Sequence, residues 1–224
     1  MCTPITSAAL AACTKSYSTK LGEGATGEVF SGVIHGVPVA VKRLKAPGDA
    51  STEVLSSLRR RFRAELGTLS AFQHPRIVQL LHSCEDTGDS SHPFALAFEL
   101  LEQGSLAEWL RSSRGDPAKR GTLSCHQRLE AALGIAHGLK YLHGLPSEEG
   151  EGGAQGEPVV HRDVKSANVG FALTKDGSLY AKVIDCGLAK ALHGGAPAAA
   201  MGGGGAGSGA SFSSGVLGTP GYMA

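Results

Sequence analysis

Between positions 51 and 72 the large apolar residues Leu55, Leu58, Phe62, Leu66, Leu69 and Phe72 recur at intervals of three and four. That spacing predicts one apolar stripe on an α-helix, with Asp49, Ser51 or Thr52 available as its N-cap. Four arginines, Arg59, Arg60, Arg61 and Arg63, fall on its other side and read as a solvated face. Ahead of this helix the period is two. From Val37 to Leu44 the pattern predicts a strand with Val37, Val39 and Val41 on one face and Ala40 and Lys42 on the other. Leu21 to Val29 and Val33-Ile34 read as strands as well, with a turn at His35-Gly36. Short apolar runs at 77–81 and 94–101 are of strand type. Two capping boxes follow. Ser105-Leu-Ala-Glu108 opens a short helix through Leu110, and Ser124-Cys-His-Gln127 opens a longer one. The latter carries the stripe Leu129, Leu133, Ala136 and Leu139 and ends at Gly144 and Pro146. Strands with one helix come first and helices afterwards, which predicts an α+β chain with two unlike lobes.

Composition sharpens this in three ways. The 224 residues include 32 glycines, about twice the usual share. The excess lies in two stretches, 146–158 and 194–215, that lack apolar periodicity and are expected to be insertions within one domain. Lys+Arg 21 against Asp+Glu 20 leaves a formal net charge of +1, so no global field would gather nucleic acid or an anionic membrane. No apolar run is long enough to span a bilayer, and the first residues lack the pattern of a signal peptide, so a cytoplasmic location is expected. Cys2, Cys13, Cys84, Cys125 and Cys186 are odd in number and contain no C-x-x-C pair, which argues against a disulfide framework and a zinc site.

Gly22, Gly24 and Gly27 form a G-x-G-x-x-G run. A dinucleotide-binding turn would lead into a helix, with an acidic group about twenty residues on. Here strand-like sequence lies on both sides and position 42 is a lysine, so a hairpin lid over phosphates fits better. No Gly-Lys-Ser/Thr is present for a P-loop. In order there follow Val-Ala-Val-Lys42, Glu65 on the predicted helix, His161-Arg162-Asp163-Val164-Lys165-Ser166-Ala167-Asn168, and Asp185-Cys186-Gly187. On these matches the chain resembles the eukaryotic protein kinases from about Tyr17 to Ala224. The text HPRIVQLL, LEQGSLAEWL, GLKYLH and GTPGYMA is most similar to plant receptor-like and interleukin-receptor-associated kinases. Lys165 and Gly218-Thr219 are features of the Ser/Thr type.

The resemblance implies a two-lobed protein-kinase fold, with a small antiparallel-sheet lobe carrying one helix and a mainly helical large lobe. The expected borders are an extension at 1–16, the small lobe at about 17–98, a hinge at about 99–104 and the large lobe from about 105. ATP, Mg²⁺ and a protein Ser or Thr hydroxyl are the implied reactants. Gly22, Glu23, Gly24, Ala25, Thr26 and Gly27 would cover the phosphates, the glycines letting backbone approach closely. Lys42 would hold the α- and β-phosphates, aimed by Glu65. Asp163 would take the substrate hydroxyl proton and Lys165 would neutralise the moving phosphoryl group. Asn168 and Asp185 carry the oxygen donors that Mg²⁺ prefers. Leu21, Val29 and Ala40 would form an apolar ceiling for adenine. Phe98 would be the gatekeeper, with Glu99, Leu100 and Leu101 offering hinge backbone to the purine edge. His161 is expected to pack beneath the site.

Three departures accompany the resemblance. Cys186 stands where the family usually has Phe against Leu80, Leu69 and His161, at a cost of about 1 kcal/mol or more in burial. Gly170 stands where a Leu supports adenine from below, a loss of about 1–2 kcal/mol. The sequence ends at Gly221-Tyr-Met-Ala224, before the usual Pro-Glu and later helices. An incomplete domain is therefore expected, with the stripe at Leu129 to Leu139 left in water. Ser208, Ser211, Ser213 and Ser214 lie where such kinases are commonly phosphorylated, with Arg162 as a partner for the phosphate. Two readings follow, an ATP-dependent Ser/Thr kinase and a nucleotide-binding pseudokinase scaffold.

Overall fold

The computed structural model describes residues 2–24, 27–47, 51–112, 123–144, 158–186, 190–191, 219 and 221–222. Ala25, Thr26, Gly187, all of the expected insertion at 146–158 except Pro158, the one at 194–215, and the serines from 208 to 214 lie outside them.

The small lobe is a six-stranded sheet in the order β1-β5-β6-β4-β3-β2. Its strands are β1 (Thr3–Pro4), β2 (Lys20–Gly24), β3 (Gly27–Ile34), β4 (Val37–Leu44), β5 (Leu80–Cys84) and β6 (Phe94–Glu99). All neighbours are antiparallel except β1, which lies parallel to β5. The β3–β4 connection is a two-residue turn with positive φ at His35 (49°) and Gly36 (81°), the geometry whose twist suits a hairpin.

Both faces of this sheet are covered, which explains why β6 reads as a continuous apolar run. On one face the α2 helix (Thr52–Ser70) packs Phe62 and Leu69 against Leu80, Phe94 and Leu96. Ser51 caps it, its hydroxyl accepting from the Val54 N–H, and the four arginines are exposed as expected. The other face, bearing Val39, Val41, Ala95 and Ala97, is sealed by the α1 helix (Ser7–Cys13) through Leu10, which is wholly buried. Burial of that one side chain is worth about 1.5–3 kcal/mol. The residues ahead of Tyr17 are thus part of the lobe, adding an edge strand and a second helix to the antiparallel sheet and single helix expected. After α1 three consecutive residues, Lys15, Ser16 and Tyr17, take positive φ. The turn brings the Tyr17 ring edge-on to Phe30 and under the Arg43 guanidinium.

The large lobe contains α3 (Leu106–Ser112), α4 (Cys125–Leu142), the hairpin of β8 (Val169–Leu173) and β9 (Leu179–Val183), and the short pair β7 (Val159–Val160) with β10 (Lys190–Ala191). Both capping boxes form. Ser105 and Glu108 exchange backbone and side-chain bonds, as do Ser124 and Gln127. The buried side of α4 is Ala131, Gly134, Gly138, Tyr141 and Leu142 rather than the leucine stripe. Small residues let this helix approach β9 closely, since a Cβ on Gly138 would stand 3.0 Å from the Arg76 carbonyl and 3.1 Å from Val183. Leu129 and Leu133 are 59% and 43% exposed, as expected of that stripe, while Leu139 packs partly against the main core. No helix among the described residues is long and apolar enough to cross a membrane.

Candidate active site

The alternation in β4 turns Lys42 away from the face that α1 covers. Its Nζ meets the Asp185 carboxylate at 2.6 Å across 143 positions of sequence. Asp185 follows β9 with a left-handed φ of 57°, a conformation that costs energy for a non-glycine residue and recurs at functional sites. Glu65 is not the partner of Lys42. Among the described residues its carboxylate makes no ion pair or hydrogen bond. The ammonium pairs with the Asp185 carboxylate, and the Lys42–Glu65 ion pair expected from the sequence does not form in this structure.

A second cluster forms around Asp163. Lys165 Nζ donates to Asp163 Oδ2 at 2.7 Å and to Thr219 Oγ1 at 2.7 Å, and the Thr219 hydroxyl donates to Asp163 Oδ1 at 2.6 Å. Asn168 Nδ2 donates to the Asp163 carbonyl at 2.9 Å and to Oδ2 at 3.0 Å. Burial pushes the Asp163 carboxyl up, yet these donors and the Lys165 charge outweigh it and hold the group below its ordinary 3.8. The carboxylate is therefore ionised throughout the neutral range.

His161 ties the two clusters together. Its Nδ1 accepts from the Asp163 N–H at 3.3 Å and its Nε2 faces the Ile184 carbonyl at 3.1 Å, which sets the tautomer with the proton on Nε2. The Ile184 N–H donates to the Asn168 carbonyl at 3.0 Å. His161 is 1% exposed and packs beneath the site, as expected.

Residues 16–224 match the protein kinase domain. This chain belongs to the protein kinase family. It is 38% identical over 188 residues to a nodulation receptor kinase of Pisum sativum, covering 84% of this chain and 17% of that protein. Over 182 residues it is 36% identical to a probable serine/threonine-protein kinase of Arabidopsis thaliana, covering 80% and 42%. A probable receptor-like protein kinase of the same plant is 37% identical over 171 residues, covering 76% and 17%. The chain thus spans from 17% to 42% of the length of these curated relatives.

Protein kinases generally use ATP and Mg²⁺, and the donors of this chain suit them. The Asn168 amide nitrogen is engaged with Asp163, which leaves its oxygen as the donor end, and Asp185 adds a half-exposed carboxylate. An all-oxygen set fits a hard cation. Leu21, Gly22, Glu23 and Gly24 lie in β2, and Gly27 and Val29 lie in β3. Lys20 pairs with Glu23 and Glu28, and Lys45 also pairs with Glu23. The hydrogen bonds from Lys20 and Lys45 pull Glu23 down to about 2. Ala40 pairs with Phe98 in the β4–β6 ladder. Leu101 lies over Gly170, where an added Cβ would meet Leu101 Cδ1 at 2.4 Å. The space that a side chain at Gly170 would fill is thus occupied by Leu101. Cys186 is buried with Leu69 and Leu80 in the main core, and desolvation, reinforced by Asp185, pushes its thiol up to about 12. Its sulfur is inert packing. Of the groups at the site, Thr219 carried the weakest sequence signal, its place in GTPGYMA.

Desolvation raises the Glu65 carboxyl above its ordinary 4.5, the nearby Lys42 charge opposes this, and Asp185 adds to it. Below 4.5 the folded and unfolded states both hold the proton, whereas above the raised folded value the fold carries an unpaired, half-buried charge. Glu65→Gln is therefore expected to stabilise the chain at pH 7 by about 1 kcal/mol, seen as a melting point higher by about 2–4 °C. The gain should vanish below pH 4.5. A variant that melts below the parent at pH 7 would contradict the unpaired state of Glu65.

Proposed function

We propose that the chain is an ATP-dependent protein serine/threonine kinase that transfers the γ-phosphoryl group of MgATP to a protein hydroxyl. The observation that carries this reading is the convergence of Lys42 on Asp185 at 2.6 Å with Asp163, Lys165, Thr219 and Asn168 bonded into one cluster. Lys42 holds the α- and β-phosphates, with the glycine-rich run from Gly22 to Gly27 as their proposed cover. The hinge backbone at Glu99 and Leu101 takes the purine edge, with Val29 and Ala40 above it. Asp163 accepts the proton as the substrate oxygen bonds to phosphorus and the bond to the leaving ADP breaks. Lys165 neutralises the phosphoryl oxygens, and Thr219 fixes both partners. Asn168 and Asp185 are the side chains that would hold Mg²⁺, which when bound neutralises phosphate charge.

We assign residues 17–98 to the small lobe with 1–16 as its cover, 99–104 to the hinge and 105 onward to the large lobe. The free thiols among the described residues and the dependence on cellular ATP support a cytoplasmic setting. A scaffold reading finds less support, because every charged catalytic position is filled. Incorporation of labelled phosphate from MgATP into a generic Ser/Thr substrate tests the proposal. Lys42→Ala is expected to lower the rate at least about 10²-fold, with label on Ser or Thr. Activity indifferent to this change, or label confined to Tyr, would refute it.

A further inference from the structure

The side chain of Glu99 is engaged away from the purine. Its Oε1 accepts from Lys182 Nζ at 2.6 Å and from the Gln79 N–H at 2.8 Å, and its Oε2 accepts from Lys182 at 2.8 Å. The Glu99 N–H donates in turn to the Gln79 carbonyl at 3.0 Å. Glu99 closes β6 at the hinge, whereas Lys182 lies on β9, three residues before Asp185. Their side chains are 26% and 16% exposed, so salt screens the pair less than a surface bridge.

From Lys182 the connection runs on through short steps. Val183 is bonded on both sides to the segment below the hinge, its N–H to the Arg76 carbonyl at 2.8 Å and its carbonyl to the Val78 N–H at 2.9 Å. Ile184 bonds the Asn168 carbonyl, and Asp185 follows. Apart from Lys42–Asp185, this is the one ion pair among the described residues that joins the small-lobe sheet to the β8–β9 hairpin.

We propose that the Glu99–Lys182 pair is a positioning strut, through which occupation of the hinge by a purine and placement of Asn168 and Asp185 for the metal favour each other. This deepens the nucleotide reading above and rests on it. One residue serves both ends, reading the purine with its backbone and bracing the metal-bearing hairpin with its carboxylate. Coupling of this kind is reciprocal. Mg²⁺ tightens nucleotide binding, and the nucleotide tightens Mg²⁺ binding, by the same factor.

Equilibrium binding of adenosine, of ADP in EDTA and of MgADP to the full chain provides the test, with no turnover required. The variants are Glu99→Gln, which keeps the shape and the bond to Gln79, Lys182→Met, the double variant, and Lys182→Arg as the conservative control. In Lys182→Met adenosine affinity should stay within about twofold, and the enhancement of ADP binding by Mg²⁺ should fall by about tenfold in both single variants. The double variant should be no worse than either single, and Lys182→Arg should retain most of the enhancement. An enhancement that survives Glu99→Gln and Lys182→Met overturns the strut alone. So does an equal loss for adenosine and MgADP in Lys182→Met, which marks a merely structural role. A parent chain that binds neither adenosine nor MgADP overturns the nucleotide reading and the strut with it.

Discussion

Asp163→Asn is expected to lower phosphoryl transfer by about 10²–10⁴-fold without raising the KM for ATP. The replacement preserves size, but its amide cannot take the substrate proton and presents hydrogens to the Lys165 and Thr219 donors that now converge on the carboxylate at 2.7 and 2.6 Å. Loss in kcat and kcat/KM by the same factor is the mark of an interaction made only in the transition state. Initial rates against ATP at saturating protein substrate give both constants. The pH profile adds a second check. Asp163 stays ionised until the pH falls below 3.8, so an acid limb seen at higher pH must belong to another group and must persist in the residual activity of the variant. Full activity in Asp163→Asn would remove this carboxylate from the chemistry.

Gly22, Gly24 and Gly27 are expected to divide sharply. A Cβ on Gly27 would stand 2.0 Å from the Arg43 carbonyl oxygen and 3.0 Å from its carbon, whereas at Gly22 and Gly24 nothing lies within 4 Å. Those obstructing atoms are backbone, so relief requires β3 and β4 to part where Gly27 faces Leu44 and Glu28 faces Arg43. Gly27→Ala should therefore destabilise by about 1–3 kcal/mol, a melting point lower by roughly 2–4 °C for each kcal/mol. Gly22→Ala and Gly24→Ala should melt within about 0.5 kcal/mol of the parent, with any cost confined to nucleotide affinity. Thermal melts of the three variants separate the cases. A Gly27→Ala protein as stable as the parent would show that the close approach of β3 to β4 is not needed.

Local signals were legible in the sequence and tertiary ones were not. The α2 stripe, the β4 alternation and both capping boxes depend on neighbours a few positions apart, and each formed where the pattern put it. The first helix has no such stripe. Ser7–Cys13 is small and alanine-rich, with Leu10 its one large apolar residue, and only the sheet beneath shows why that residue is buried. In α4 the leucine stripe lies on the exposed side at Leu129 and Leu133, as expected, and the buried side carries no such stripe. Gly134 and Gly138 carry the contact with β9 because they are small, and smallness leaves no trace in a hydrophobic pattern. At the site, motif order named Lys42, Asp163, Lys165, Asn168 and Asp185, since each residue type follows from its chemistry. Which carboxylate receives the Lys42 ammonium depends on distances that spacing does not encode, and there Asp185 displaced Glu65. The same holds for Leu101 over Gly170, whose side chain fills what β8 leaves empty.

The seal laid over the outer side of the small-lobe sheet by α1 means that the map of motifs and the unit that folds do not share a border. A fragment cut to begin at Tyr17 would retain every residue credited with chemistry and strip the lining from Val39 and Val41, directly behind the strand that presents Lys42. Boundaries for expression or for domain exchange are better drawn ahead of Thr3 than at the first recognisable motif.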